Sequence, residues 1–194
     1  MAPEDSFARF VSLACHDLRT PLATVSGFAH TLDRTESLGD PAQRYLGMIL
    51  AATEQIADLL EELGLVARIE AGRYEPALVE VDTLELAHVS ATPFGEQAGV
   101  GGSGATVRVD REPTERALAA LARCALRHGG LERVEIAAEG PTISIAPVTE
   151  AGPILLGEEL KDLGAAAARR LIEAFGGSLA VEDERLLVRL PAWA

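Results

Sequence analysis

Apolar residues recur at steps of three and four from Phe7 through Val11, Ala14, Leu18, Leu22, Val25 and Ala29 to Leu32, the spacing that lines one face of a long helix. A second run, Tyr45, Ile49, Ala52, Ile56, Leu59, Leu63 and Val66, alternates four and three, the heptad rhythm of helices in a left-handed bundle. Between them Thr35 to Asp40 is short and polar, and Asp40-Pro41 makes an N-cap and first-turn pair in which the missing proline N–H is harmless. The pattern predicts a helical hairpin. Leu13, Phe28, Met48 and Leu60 fall outside both stripes and widen the apolar surface beyond what one seam covers. Two hairpins joined in a four-helix bundle, hence a homodimer, are expected; a larger intramolecular contact is the alternative.

From Ala77 onward the rhythm changes. Ala77–Val81, Ala105–Val109, Arg133–Ala138 and Thr142–Ile145 read as strands, and Glu115–Arg127 and Glu158–Phe175 as helices. Gly176-Gly177 closes the last helix, and Ser178–Val181 with Arg185–Leu190 reads as a terminal hairpin ending at Pro191. The chain therefore divides into a hairpin over residues 1–75 and an α/β sandwich over residues 76–194, an α+β protein overall. Gly95–Gly104 has amides that could cradle an anion, but lacks the lysine and following helix of a phosphate loop, so a flexible turn is expected there.

A length of 194 residues with 48% hydrophobic content is enough for packed cores. The formal charge of −13 opposes attraction to a phosphate backbone, which excludes nucleic acid as the main partner. No apolar run is long enough to span a bilayer and the start MAPEDSFARF has no signal-peptide layout, so no membrane insertion and a cytoplasmic location are expected. Cys15 and Cys124 have no metal-ligand spacing around them and read as small buried residues; no metal site is expected.

His16 falls two positions from Ala14, roughly 200° around a helix, and so points away from the apolar stripe. Thr20 shares its face, with Asp17 beside it and Arg19 near. Pro21 cannot donate to the Asp17 carbonyl, and a bend is expected there. A neutral imidazole is a good nucleophile near neutral pH, and a neighbouring carboxylate can hold the proton on its other nitrogen. His30 and His88 have no such setting and read as surface residues.

The stretch His16-Asp17-Leu18-Arg19-Thr20-Pro21-Leu22 resembles the phosphoacceptor box of sensor histidine kinases, and Arg68-Ile69-Glu70-Ala71-Gly72 resembles the end of that family's dimerisation domain. The resemblance implies that His16 carries the phosphoryl group, that Asp17 assists its transfer and that Thr20 positions water for dephosphorylating a receiver. Ala168 to Leu179 resembles the late helix and strand of the family's ATP-binding domain. Phosphoryl transfer from ATP requires groups that hold magnesium and neutralise the triphosphate. Where the family's asparagines are expected stand Ala120 and Cys124, and the Asp-x-Gly-x-Gly element is replaced by Ala146-Pro147-Val148-Thr149-Glu150-Ala151-Gly152. Asp162 occupies the place of one phosphate-approaching glycine, and the lid segment is missing. Glu150, Gly152 and Gly164 are the remaining candidates for a vestigial nucleotide pocket.

By this resemblance the chain is expected to be a pseudokinase in a two-component phosphorelay: a phosphotransferase exchanging phosphoryl groups with response-regulator receiver domains through His16, or a receiver phosphatase through Thr20. It needs no intrinsic cofactor, since magnesium comes with the receiver, and ATP binding is not expected. An autophosphorylating kinase with an atypical pocket and a non-enzymatic dimeric receiver scaffold are the alternatives.

Overall fold

The computed structural model describes residues 3–35 and 39–192. It divides into two compact units, Met1–Arg73 and Tyr74–Ala194. The first contains helices α1 (Pro3–Thr35) and α2 (Asp40–Glu70), packed against each other as a hairpin. Residues 36–38 of the expected polar connection lie outside the described residues. The Gln43 side-chain amide donates to Asp33 Oδ1 at 2.5 Å and ties the two helices beside that connection.

α2 starts one residue earlier than the Asp40 cap expected from sequence. Gly39 is the N-cap in an extended conformation, and its carbonyl accepts from Ala42 and Gln43 N–H at 2.9 and 3.1 Å. Asp40 and Pro41 both fall inside the first turn, where a carboxylate complements the helix dipole and proline lacks only an N–H with no helical partner. At the other end Gly72 takes φ +61°, and Gly72 and Arg73 N–H return to the Ile69 and Arg68 carbonyls. A left-handed residue stops a helix while satisfying its last carbonyls, which accounts for a glycine after Ile69-Glu70-Ala71.

The seam between the helices differs from the two stripes read in the sequence. Ala8, Cys15 and Ala29 are buried on α1, and Leu46, Thr53, Leu60, Gly64 and Ala67 on α2. Phe7, the first residue of the α1 stripe, has a side chain outside the described residues. Leu18, Val25 and Leu32 of the first stripe, and Tyr45, Ile49, Ile56 and Leu59 of the second, are exposed in the single chain. The correction has a steric reason. The small Ala8, Cys15 and Ala29 of α1 let the backbones approach closely, Leu46 and Leu60 of α2 are buried with them, and the other large side chains are left on another face.

The second unit begins with strand β1 (Leu78–Asp82), helix α3 (Thr83–Ala91), strands β2 (Ala98–Gly104) and β3 (Thr106–Asp110) and helix α4 (Arg111–His128). Strands β4 (Val134–Gly140) and β5 (Thr142–Ala146), helices α5 (Gly152–Leu155) and α6 (Leu163–Ala174), and strands β6 (Ser178–Glu182) and β7 (Arg185–Arg189) follow. β1 and β3 form an antiparallel pair, and the main sheet runs β2-β4-β5-β7-β6, parallel only between β2 and β4. Alternation places Val134, Ile136 and Ala138 of β4 and Leu186 and Val188 of β7 in the core, with Leu118 and Leu121 of α4 and Leu171 and Ile172 of α6.

Gly95–Gly104, expected as a flexible turn, is largely the edge strand β2. It pairs with β4 from Ala98↔Val134 to Gly104↔Gly140. Gly102 is required by proximity: it has φ +93°, and a Cβ there would collide with the Ala138 carbonyl. The helix expected over Glu158–Phe175 starts only at Leu163, where Asp162 Oδ1 accepts from Ala165 N–H at 3.0 Å as an N-cap. α3 was not evident in the sequence pattern; Asp82 caps it by accepting from Leu84 and Glu85 N–H. Among the described residues no helix is long and apolar enough to cross a membrane.

Candidate functional site

In the first unit, α1 presents His16 and Asp17 outward, with side-chain exposures of 76% and 67%. His16 Nδ1 lies 3.1 Å from Asp17 Oδ1. An ionised carboxylate only accepts, so this bond selects the tautomer with hydrogen on Nδ1 and leaves the Nε2 lone pair free toward solvent. The hydrogen bond thus orients the ring and leaves Nε2 as the nitrogen able to attack an electrophile. The adjacent carboxylate is placed to offset positive charge on the ring.

Thr20 is exposed one turn further along, and its carbonyl accepts from the Thr24 hydroxyl at 3.1 Å. It shares with His16 the outer face of the helix, four residues on. α1 continues through Pro21 without ending. Proline has no N–H to give the Asp17 carbonyl its usual i+4 donor. His30 is exposed on the same helix and His88 is exposed near the end of α3.

In the second unit the other candidates are dispersed among different environments. Glu150 is exposed in the short turn Thr149–Ala151, Gly152 is buried at the start of α5, and Gly164 is half-buried in the first turn of α6. Ala120 and Cys124 face the core from α4. No metal-ligating role for Cys124 was expected from sequence, yet its neighbourhood is polar. His128, one turn along α4, places Nε2 3.2 Å from Asp162 Oδ2, and Arg127 reaches the same oxygen at 3.6 Å. Sγ of Cys124, a ring nitrogen of His128 and a carboxylate oxygen of Asp162 all lie within 4.8 Å of one another. Burial and then the Asp162 charge push the Cys124 thiol up to about 12. The legible signal was Cys124-x-x-x-His128, two ligand types at i and i+4 on one helix face; the third donor comes from a distant segment.

Residues 8–72 match the His Kinase A (phospho-acceptor) domain family, a span that contains α2 and most of α1 with the exposed His16. The first unit is thus similar to the phospho-acceptor domain of histidine kinases. It is 32% identical over 95 residues to the probable sensor histidine kinase TcrY of Mycobacterium tuberculosis, a match covering 46% of this chain and 20% of that protein. It is 28% identical over 168 residues to the signal transduction histidine-protein kinase AfsQ2 of Streptomyces coelicolor, covering 77% of this chain and 31% of that protein. The chain therefore spans only a fifth to a third of the length of these relatives. The fold is similar to that of full-length ShkA in complex with AMPPNP, with TM-score 0.72 and 21% identity over 96% of this chain and 46% of that one. The histidine kinase AdeS of Acinetobacter baumannii has a similar fold, with TM-score 0.60 and 18% identity over 92% of this chain and 98% of that chain. Both likenesses extend the histidine kinase fold from the hairpin to the α/β unit.

Proposed function

We propose that the chain works in two-component signalling, with His16 Nε2 accepting a phosphoryl group and passing it to or from the aspartate of a response-regulator receiver domain. The observation that carries the reading is the exposed His16–Asp17 pair, hydrogen-bonded at 3.1 Å, within the phospho-acceptor domain family match. In the forward step Nε2 attacks phosphorus of the aspartyl phosphate, the carboxylate leaves, and Asp17 holds the Nδ1 proton while the ring becomes cationic. Magnesium would be held by the receiver's own carboxylates and the transferred phosphate.

The exposed Thr20, one turn from His16, supports a companion activity, receiver dephosphorylation, in which its hydroxyl orients water toward the aspartyl phosphate. Homodimerisation belongs to the same reading. The exposed row of Leu18, Val25, Leu32, Ile49, Ile56 and Leu59 is larger and more apolar than a solvated helix face needs to be, and a second hairpin would cover it. The residues Ala120, Cys124 and Asp162 favour a receiver over ATP as the phosphoryl donor, because Ala120 and Cys124 supply no hard oxygen ligand for magnesium and the Asp162 carboxylate repels a triphosphate.

The deciding experiment incubates the chain with a phosphorylated receiver, and separately with magnesium and ATP, and assays acid-labile phosphate on wild type and His16→Ala. Label from the receiver, lost in His16→Ala, is the expected result. Label from ATP alone would replace this reading with an autokinase. Absence of label from both donors, with receiver dephosphorylation that survives His16→Ala and is lost in Thr20→Ala, would leave only the phosphatase.

A further inference from the structure

We propose that Cys124, His128 and Asp162 bind one transition-metal ion of the zinc(II) class, with a fourth position open to water. This inference concerns the second unit and is independent of the role of His16. Thiolate, imidazole and carboxylate are the ligand types zinc takes, and among the described residues this is where such donors converge. Metal–ligand bonds of about 2.0–2.1 Å to nitrogen and oxygen put two tetrahedral vertices about 3.3 Å apart. The His128 Nε2 to Asp162 Oδ2 separation is 3.2 Å. The sulfur, within 4.8 Å of both, needs to close to about 3.6 Å from each for a zinc–sulfur bond of about 2.3 Å. A side-chain rotation on α4 can supply that movement.

The surroundings favour a cation. Cys124 and His128 lie on the last two turns of α4, whose C-terminal carbonyls carry partial negative charge. Asp162 Oδ1 is held by Ala165 N–H at 3.0 Å, which fixes the carboxylate and leaves Oδ2 directed at His128. Arg127 is the competing cation at 3.6 Å from Oδ2, but its side chain is 58% exposed and free to swing into solvent. His128 is partly exposed, at 23%, and provides an entry route, whereas Cys124 is fully buried and protected from oxidation. On binding, the thiol proton leaves to solvent and the sulfur–metal bond replaces the sulfur–hydrogen bond, so dication, thiolate and carboxylate sum to zero charge. The ion would join the end of α4 to the segment leading into α6. A sulfur ligand in a site of this composition selects zinc, cobalt or a similar borderline ion over magnesium.

The test titrates the untagged, metal-depleted full chain with cobalt(II) alone, followed by displacement with zinc(II). One equivalent of cobalt should bind with a near-ultraviolet thiolate-to-cobalt charge-transfer band and the visible bands of a tetrahedral site, and zinc should remove both. Cys124→Ser should abolish the thiolate band, Cys15→Ser should keep it, and His128→Gln should weaken cobalt binding by about tenfold or more. Circular dichroism reports whether each variant is folded; should Cys124→Ser fail to fold, His128→Gln and Cys15→Ser carry the test. No thiolate band in wild type, a band that follows Cys15, or unchanged affinity in His128→Gln would overturn the proposal. None of these outcomes depends on phosphoryl transfer, so failure here leaves the His16 reading standing.

Discussion

At the scale of single residues, the two clusters of this chain differ in how they are assembled. His16 and Asp17 are adjacent in sequence and Thr20 is one turn away, so helix geometry alone puts them on one exposed surface. Asp17→Asn keeps the size but removes the carboxylate that holds the Nδ1 proton; phosphoryl transfer from a receiver to His16 should slow about 10²-fold or more, measured by rapid-quench labelling. Cys124 makes a different prediction. Burial first and the Asp162 charge second raise the folded thiol from 9.0 to about 12. A group whose folded pKa is raised stabilises the fold fully below its unfolded value and loses that contribution as pH rises through the folded one. Metal-free protein should therefore lose stability between about 9 and about 12, followed by urea unfolding, and Cys124→Ser should remove that part of the pH dependence.

At the scale of elements, the apolar periodicities located α1, α2, α4, the body of α6 and most strands, but neither α3 nor α5, because burial of one face is a local property of the sequence only where the element is long enough to show it. The misplacements lie where tertiary contact overrides local composition. A run such as Gly101-Gly102-Ser103-Gly104 carries no side-chain alternation, yet it pairs along β4 as an edge strand, with Gly102 close against the Ala138 carbonyl. Gly102→Ala should cost about 1–3 kcal/mol, since φ +93° and the Ala138 carbonyl both oppose a Cβ. Gly101→Ala, which opens onto free space, should cost far less. Urea titration of the two variants side by side checks the contrast.

At the scale of the whole molecule, the exposed row on the hairpin makes an assembly prediction. Ile56→Glu sets a charge in the middle of the face proposed to meet a second copy, at a position 47% exposed in the single chain. Sedimentation should show a dimer for wild type and a monomer for the variant, with helix content retained; a monomeric wild type would remove the dimer from the proposed function. The same hairpin separates what one dimension determines from what three decide. The sequence by itself determined two long helices, an exposed His16 beside Asp17 and an α/β sandwich after them, because each follows from residues within a turn or an alternating strand of one another. Only the tertiary structure decided that Ala8, Cys15, Leu46, Leu60 and Ala67 form the hairpin seam in place of the larger stripes, since close approach depends on the size of side chains from both helices at once. Likewise Asp162 meets Cys124 and His128 only because α6 packs against α4, which brings residues 34 positions apart within 3.2 Å, a proximity that no local pattern encodes.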